Sequence, residues 1–174
     1  MSADPAATPK EHKATAPAGP VGCFVLTISD TKTEATDTSG ALIRELLGGA
    51  GHRVVASRIV RDEPADVARL VRDACGDPAV QAVILTGGTG ITSRDSTFEA
   101  VEGLLDKRLP GFGELFRMLS FQEIGASAML SRAHLGIRAR RVVVSLPGSP
   151  NACRLALEKL LLPELPHLLR EAGR

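Results

Sequence analysis

The chain has 174 residues, 44% of them hydrophobic, and a formal net charge of +1. This length suits one domain with a sizeable apolar core, so we predict a single domain rather than two. The near-neutral charge excludes the strong positive field typical of nucleic-acid-binding proteins, and the absence of Trp and Tyr leaves few side chains that could stack on bases.

The first segment, Met1 to Pro20, is rich in Ala, Pro and Thr and contains no Leu, Ile or aromatic residue. We predict that residues 1–20 are a disordered tail, because such a segment buries too little apolar surface to offset the entropy of ordering it, and that residues 21–174 form the domain. The tail lacks the apolar core of a secretory signal, and no run of about 20 apolar residues follows it, so we expect a soluble, cytoplasmic protein. The three cysteines have no CxxC spacing, which favours buried free thiols over disulfides or a thiolate metal site.

Four apolar runs rich in Val, Ile and Leu predict strands that are covered on both faces, as in a parallel sheet. They are CFVLTIS (Cys23 to Ser29), VVASRIV (Val54 to Val60), AVILT (Ala82 to Thr86) and RVVVSL (Arg141 to Leu146).

Segments with helical spacing separate these runs. They are Thr38 to Gly51, ending at Gly48 or Gly51; Ala65 to Gly76; a helix that begins near Ser96; a region from Gly113 to about Ser131; and the segment after the last strand. Alternating strands and helices predict a doubly wound α/β fold, a mostly parallel sheet with helices on both faces.

Each of the first three strands is followed closely by an aspartate: Asp30, Asp62 and Asp95, with Asp37 further along. Because the carboxyl ends of parallel strands meet at one edge of a sheet, we expect these carboxylates to gather there. Asp37 also suits the N-cap of a helix, as does Asp62 before Glu63 and Pro64, and Asp30 suits a turn, so a turn or capping role remains the alternative for all three.

The loop after the third strand, TGGTGITSRD, interleaves three glycines with threonines. Its backbone N–H groups can approach an anion closely, the helix after Ser96 would add its positive end, and the hydroxyls of Thr86, Thr89 and Thr92 can donate to the same anion. A turn alone would not need three glycines, so the loop predicts a phosphate site.

Phosphates beside several aspartates would be repelled unless a divalent cation lay between them, so the combination indicates Mg²⁺ with a nucleotide or phosphorylated metabolite. No lysine follows the glycines, which excludes a P-loop, and Ser93 stands where a dinucleotide fingerprint needs glycine. The four histidines are scattered and are expected to be packing or surface residues.

Five stretches in order resemble the MoaB/MogA family of molybdenum cofactor biosynthesis, nearest its MoaB branch, over Val25 to about Leu162. They are SDT with DTSG, RDEP, TGGTGITSRDST, GFGELFRMLSFQEIGASAMLSRAHLGI and LPGSPNA. The resemblance implies a doubly wound domain that assembles into trimers or hexamers. It also implies adenylylation of molybdopterin by Mg-ATP, giving adenylyl-molybdopterin and pyrophosphate, with molybdenum-insertion proteins as further partners.

The resemblance assigns roles to individual residues of this chain. Asp62 and Asp95 match the essential aspartates, which would position Mg-ATP and take part in catalysis. Thr86, Gly87, Gly88, Thr89 and Gly90 would hold the nucleotide phosphates. The pterin side would be served by Ser29, Asp30, Glu114, Ser131, Arg132 and Ser149, with Arg132 as a partner for the pterin's phosphate.

The chain differs from the family pattern at Phe98, which follows Thr97 where the family commonly has proline. It retains Arg94 and Asp95, which some MoaB-branch members lack, and this favours an enzyme. The alternative is a pterin-binding or scaffold protein without turnover. A nucleotide-dependent oxidoreductase is disfavoured by the failed dinucleotide fingerprint.

Overall fold

The computed structural model describes residues 19–92 and 97–174, and these form one six-stranded sheet with helices packed on both of its faces. The predicted tail therefore lies outside the described residues, apart from Gly19 and Pro20. The strands are β1 (Gly22–Ile28), β2 (Arg53–Val60), β3 (Ala82–Thr86), β4 (Lys107–Arg108), β5 (His134–Arg138) and β6 (Arg141–Leu146). The helices are α1 (Thr38–Gly49), α2 (Pro64–Gly76), α3 (Thr97–Glu102), α4 (Pro110–Ile124), the 3₁₀ turn Gly125–Leu130, and α5 (Pro150–Ala156), which continues through a π-helical segment (Leu157–Leu161) into α6 (Leu162–Gly173).

The strands lie in the order β2-β1-β3-β6-β5-β4. The first four are parallel, and β5 runs antiparallel to both β6 and β4. This confirms the predicted doubly wound, mostly parallel sheet, and it adds two strands that the sequence patterns did not predict: β5, which runs against the others, and the short edge strand β4.

Alternating side chains of the strands enter two separate apolar clusters, one on each face of the sheet. On one face, Cys23 and Val25 of β1 pack with side chains of α1, α4, α5 and α6. On the other, Phe24 and Leu26 pack with α2 and Val101 of α3. Burial on both faces explains why the central strands are continuously apolar.

Helix ends follow the local chemistry of the sequence. α1 ends at Gly49, and Gly51 two residues later has a φ of +78°, a conformation that glycine adopts at low cost. Cys23, Cys75 and Cys153 are buried free thiols, as predicted. Within the described ranges, none of the helices combines the length and apolar character needed to cross a bilayer.

Candidate functional site

The carboxyl ends of β1, β2, β3 and β6 lie at one edge of the sheet, because these four strands are parallel. β1 lies between β2 and β3, so the chain leaves β1 towards one side and later returns on the other. The loops after β1 and β3 therefore border the type of crevice in which open α/β sheets bind ligands.

Asp30 and Asp62 meet at this edge. The Asp62 N–H donates a hydrogen bond to Asp30 Oδ1 (3.2 Å), and the Ser29 N–H donates to the carbonyl of Val60 (2.8 Å). The exits of β1 and β2 are thus joined directly. Ser29 also accepts, through its Oγ, the N–H groups of the two following turn residues, Thr31 (3.3 Å) and Lys32 (3.2 Å).

Asp62 does not cap α2. The N-cap position belongs to Glu63, whose side chain makes no capping hydrogen bond. Asp62 is instead partly buried, and its Oδ1 accepts a short hydrogen bond from the Thr97 hydroxyl at the start of α3. Its carboxylate therefore faces the segment that follows the glycine-rich loop, which favours the site interpretation over capping.

Asp37 is a capping residue. It is 3% exposed, its Oδ1 accepts the N–H of Gly40 (2.9 Å), and its Oδ2 accepts the Thr27 hydroxyl (2.7 Å). A Cβ on Gly40 would lie only 2.1 Å from Asp37 Oδ2, so glycine permits this close cap. Both carboxylate oxygens are engaged inside the protein, and the capping alternative for Asp37 is confirmed.

The glycine-rich loop passes directly over the end of β1. Gly87 has a φ of +94°, a Cβ there would lie 2.2 Å from the carbonyl oxygen of Ile28, and its N–H donates to Leu146 O (3.0 Å). Gly88 has a φ of +65°, and a Cβ there would lie 3.0 Å from the Cβ of Thr97. Only glycine fits both the conformation and the space at Gly87, and the loop is thereby held against β1 and α3.

The Thr86 side chain is not directed to an anion as the sequence suggested. Its hydroxyl, on a residue 1% exposed, donates to the carbonyl of Pro147 (3.0 Å) and contacts the Cys153 Sγ at 3.2 Å. Thr86 is the last residue of β3, and its side chain is buried in the interior of the protein. The hydroxyl therefore connects β3 to the loop after β6, and Thr86 can serve an anion only through its backbone.

Arg132 donates hydrogen bonds to the glycine-rich loop. Its Nε donates to Thr89 O (2.9 Å), its Nη2 donates a short hydrogen bond to Gly90 O, and its Nη1 pairs closely with Glu99 Oε1. The guanidinium carbon lies 4.4 Å from the centre of the Phe98 ring, within the range of a cation–π interaction.

The antiparallel strand β5 brings Ser131 and Arg132 to this edge of the sheet. Because His134 at the amino end of β5 pairs with Ser145 near the carboxyl end of β6, the residues just before β5 lie beside the exits of the parallel strands. Ser131 follows the 3₁₀ turn, and its N–H donates to Ala128 O (3.0 Å). The structure therefore brings both residues near the loop after β3.

Ser149 lies at the end of the loop that follows β6 and is the N-cap residue of α5. Its Oγ caps α5 by accepting the Ala152 N–H (3.3 Å), and the neighbouring carbonyl of Gly148 accepts the Ser39 hydroxyl (2.7 Å). A Cβ on Gly148 would lie 3.4 Å from the Cα of Gly87, so the loop after β6 contacts the glycine-rich loop.

Glu114 lies near the beginning of α4. It is exposed on α4 and lines a cleft of about 280 Å³ together with Phe98, Arg108, Arg117 and His134. Phe98 connects this cleft to Arg132, because its ring lines the cleft and also lies under the Arg132 guanidinium. The cleft therefore adjoins the glycine-rich loop.

His134 is a packing residue, as its isolated position in the sequence predicted. Its ring makes an edge contact with Phe98, with the ring centres 4.4 Å apart, and neither of its ring nitrogens has a hydrogen-bond partner in the described part of the chain. Burial, followed by the charges of Arg108 and Arg132, lowers the pKa of His134 from 6.5 to about 4, so the ring is neutral at physiological pH.

Asp62 and Asp30 place two carboxylates at this edge of the sheet. Mg²⁺ takes one or two carboxylates and completes its shell with phosphate oxygens and water, and Asp62 with Asp30 supplies oxygen ligands of this kind. Residues 19–92 and 97–174 contain no group of three or more His, Cys, Asp or Glu side chains placed to hold an ion without such help. Asp95, the second predicted metal residue, lies outside the described residues, as do Arg94 and Ser96.

Sequence reasoning did not identify Thr97, Glu99 or Ser39 as parts of this site. Each forms a hydrogen bond with a residue distant in the chain. Thr97 bonds to Asp62, Glu99 to Arg132 and Ser39 to Gly148. One signal was available for Thr97, since a hydroxyl residue beside a phosphate-type loop is a natural partner for a strand-end carboxylate.

Comparison with known proteins agrees with the predicted resemblance. Residues 24–167 match the family model described as a probable molybdopterin binding domain. The chain is 50% identical to molybdenum cofactor biosynthesis protein B of Halalkalibacterium halodurans, over 93% of this chain and 95% of that protein. It is 53% identical to the protein of that name from Bacillus cereus, over 94% of this chain and 97% of that protein.

A crystal structure of molybdenum cofactor biosynthesis protein B superimposes with a TM-score of 0.87 at 53% identity, covering 89% of this chain and 97% of that one. The structure of the tungsten cofactor synthesizing protein MoaB from Pyrococcus furiosus superimposes with a TM-score of 0.81 at 39% identity, covering 91% and 100%. The chain therefore belongs to the family of probable molybdopterin binding domains that includes the MoaB and MogA proteins.

Proposed function

We propose that this protein acts in molybdenum cofactor biosynthesis by adenylylating molybdopterin with Mg-ATP, releasing pyrophosphate. The observation that carries the proposal is the junction of Asp62, Thr97 and Gly88. The Asp62 carboxylate accepts the Thr97 hydroxyl, and Thr97 packs against Gly88 of the glycine-rich loop. A carboxylate suited to Mg²⁺ and a loop suited to phosphates thus share one crevice.

In this proposal the protein contributes mainly positioning and charge neutralisation, which supply most of the catalysis in phosphate chemistry. The backbone N–H groups of Gly88, Thr89 and Gly90 would hold the β- and γ-phosphates of ATP, while Gly87, whose N–H donates to Leu146 O, shapes the start of the loop. Asp62 and Asp95 would hold the magnesium ion, which when bound would neutralise the charge that develops on the phosphate oxygens. The terminal phosphate of molybdopterin attacks the α-phosphorus, and pyrophosphate leaves on the side of the loop.

The pterin is proposed to lie between this crevice and the cleft beside α4. The 2-amino-4-oxo edge of a pterin presents neighbouring N–H donors, and a carboxylate such as Glu114 accepts such a pair. Phe98 offers an aromatic surface in the same cleft. Ser29, Asp30, Ser131 and Ser149 would complete the polar surroundings between the pterin and its phosphate.

A direct assay tests the proposal. Purified protein is incubated with molybdopterin, ATP and Mg²⁺, and adenylylated pterin and pyrophosphate are quantified. We expect both products in equal amounts, and a loss of roughly hundredfold or more in rate for Asp62→Asn and Asp95→Asn, since each removes a carboxylate that would hold the magnesium ion on the reacting phosphates.

The matched control is Asp73→Asn, which removes a carboxylate that is 67% exposed on α2 and pairs only loosely with Arg69 (3.8 Å). Its rate should equal that of the wild type. Pterin binding without pyrophosphate release by the wild-type protein would replace the enzyme with the alternative, a pterin-binding protein of the same pathway.

The proposal includes self-association into a trimer or hexamer. Leu115, Met118, Phe121 and Ile124 recur every third residue along α4 and are about half or more exposed, and Met129 and Leu130 extend the apolar surface. Contiguous apolar patches of this kind mark interfaces, and a second copy of the chain is the partner that the proposed oligomer supplies. Proteins that insert molybdenum remain proposed partners for the product.

A further inference from the structure

Arg132 contacts the glycine-rich loop through its carbonyl oxygens. The guanidinium donates from Nε to Thr89 O and from Nη2 to Gly90 O, so two successive peptide groups are held by one side chain. A planar guanidinium has its donors in a fixed fork, and it therefore fixes the orientation of both peptide groups at once.

These two hydrogen bonds determine where the N–H groups of the loop point. No peptide bond in the described part of the chain is cis, and across a trans peptide the C=O of one residue and the N–H of the next point in opposite directions. Because the carbonyls of Thr89 and Gly90 point to Arg132, the N–H groups of Gly90 and Ile91 point away from it. Two successive N–H groups on one side of a loop form an anion-binding concavity.

The neighbours of Arg132 fix the position of its guanidinium and partly neutralise its charge, which makes it a weaker direct ligand for phosphate. Glu99 pairs with Nη1 and compensates its charge, and Phe98 lies beneath the guanidinium. Phe98 is itself fixed, because its N–H donates to Gly88 O (3.2 Å) and its ring packs against His134. The arginine is thus part of a cluster that reaches from β5 through α3 to the loop.

We propose that Arg132 is a positioning residue that turns the carbonyls of the glycine-rich loop inward, so that its N–H groups face the polyphosphate of the nucleotide. This deepens the proposed function and rests on it for the identity of the ligand. It differs from the role that the family resemblance implies, in which Arg132 is a partner for the phosphate of the pterin.

The test separates a positioning role from a direct charge contact. Arg132→Lys keeps the positive charge but loses the fork, and Arg132→Gln loses both. Phe98→Leu removes the aromatic support without changing any charge, and it offers a second, milder perturbation. Arg154→Gln, which removes an exposed arginine paired with Glu158 on the α5 side, is the matched control.

Two measurements are made on each protein. The first is the {¹H}-¹⁵N NOE of the Gly90 amide in ligand-free, ¹⁵N-glycine-labelled protein, which reports fast backbone motion. The second is the dissociation constant for inorganic pyrophosphate. We expect both Arg132 variants to lower the Gly90 NOE and to weaken pyrophosphate binding by at least about tenfold, because each loses charge-assisted hydrogen bonds. Phe98→Leu should shift both in the same direction by less, and Arg154→Gln should shift neither.

An unchanged Gly90 NOE in Arg132→Gln, or an Arg132→Lys protein that keeps wild-type pyrophosphate affinity, would overturn the positioning role. The NOE is measured without ATP, pterin or turnover. It therefore decides the role of Arg132 even if the adenylylation assay fails, and a failed adenylylation assay with an altered NOE would leave Arg132 as the residue that orders the loop.

Discussion

Asp37 acts at the residue scale as a buried anchor for α1, since each of its carboxylate oxygens accepts one hydrogen bond, from Gly40 and from Thr27. Asp62 follows a strand in a similar sequence context, yet its carboxylate lies at the ligand crevice and accepts the Thr97 hydroxyl. The sequence left capping open for both residues because an aspartate before a helix suits either role. The structure separates them by two observations: Asp37 accepts the Gly40 N–H at the start of its helix, and the N-cap of α2 is Glu63 rather than Asp62.

Asp37→Ala should lower the free energy of unfolding by about 3 kcal/mol, because the change removes an N-cap and leaves the buried Thr27 hydroxyl without its acceptor. Asp37→Asn keeps one oxygen acceptor and should cost less. Urea unfolding at pH 7 measures both. A cost below about 0.5 kcal/mol for Asp37→Ala would show that the cap carries no stability.

His134 makes stability depend on pH. Burial lowers its pKa from 6.5 to about 4, so between these values the unfolded chain binds a proton that the folded protein does not. Stability is therefore full above about pH 6.5 and falls as the pH drops towards 4. Between pH 7.5 and pH 5, we expect His134 to account for a decrease of about 2 kcal/mol in the free energy of unfolding.

Urea unfolding of the wild type and of His134→Leu at the two pH values checks this contribution. The substitution will change stability at both pH values through packing, so the informative quantity is the difference between pH 7.5 and pH 5. An equal pH dependence in the two proteins would contradict the assignment to His134.

At the scale of elements, the four parallel strands and the helices between them follow from apolar patterns, because burial on both faces leaves a continuous Val, Ile and Leu signature. β4 and β5 carry no such signature. β4 is two exposed residues, and β5 includes Gly136 and the polar ends His134 and Arg138. The strand that delivers Ser131 and Arg132 to the site was thus not predictable from pattern, and only the family resemblance connected those residues to it.

The glycine-rich loop is the element whose backbone geometry we propose for phosphate binding. Gly87→Ala should displace the loop, since a Cβ would lie 2.2 Å from Ile28 O and φ is +94°. We expect a loss of about 2 kcal/mol in the free energy of unfolding together with weaker pyrophosphate binding.

Gly48→Ala provides the control for this substitution. Gly48 lies near the end of α1, where an added Cβ meets nothing within 4 Å, so the change should be neutral or stabilising by up to about 1 kcal/mol. If Gly87→Ala behaved like Gly48→Ala in both stability and pyrophosphate titration, the close contact with β1 would have no consequence.

At the scale of the whole molecule, the parallel sheet gathers the strand exits at one edge, and the apolar surface of α4 lies on the face of the sheet opposite α2. A protein that covers this surface with further copies of itself should dissociate when the surface is made charged. We expect Met118→Lys with Phe121→Lys to lower the mass measured by light scattering towards that of one chain.

The control for self-association is Asp73→Lys on α2, which introduces a comparable charge change on the opposite face and should leave the mass unchanged. A wild-type mass equal to that of a single chain would rule out the proposed trimer or hexamer at the concentration measured. A double variant with the wild-type mass would place the interface elsewhere.

The fate of a labelled phosphate tests the proposed adenylyl transfer most directly. With molybdopterin, Mg²⁺ and ATP labelled in the α-phosphate, the label should appear in the pterin; with ATP labelled in the γ-phosphate, it should appear in pyrophosphate. Both transfers should be lost in Asp62→Asn. Release of γ-label as inorganic phosphate, or bound pterin that acquires no α-label, would contradict the account.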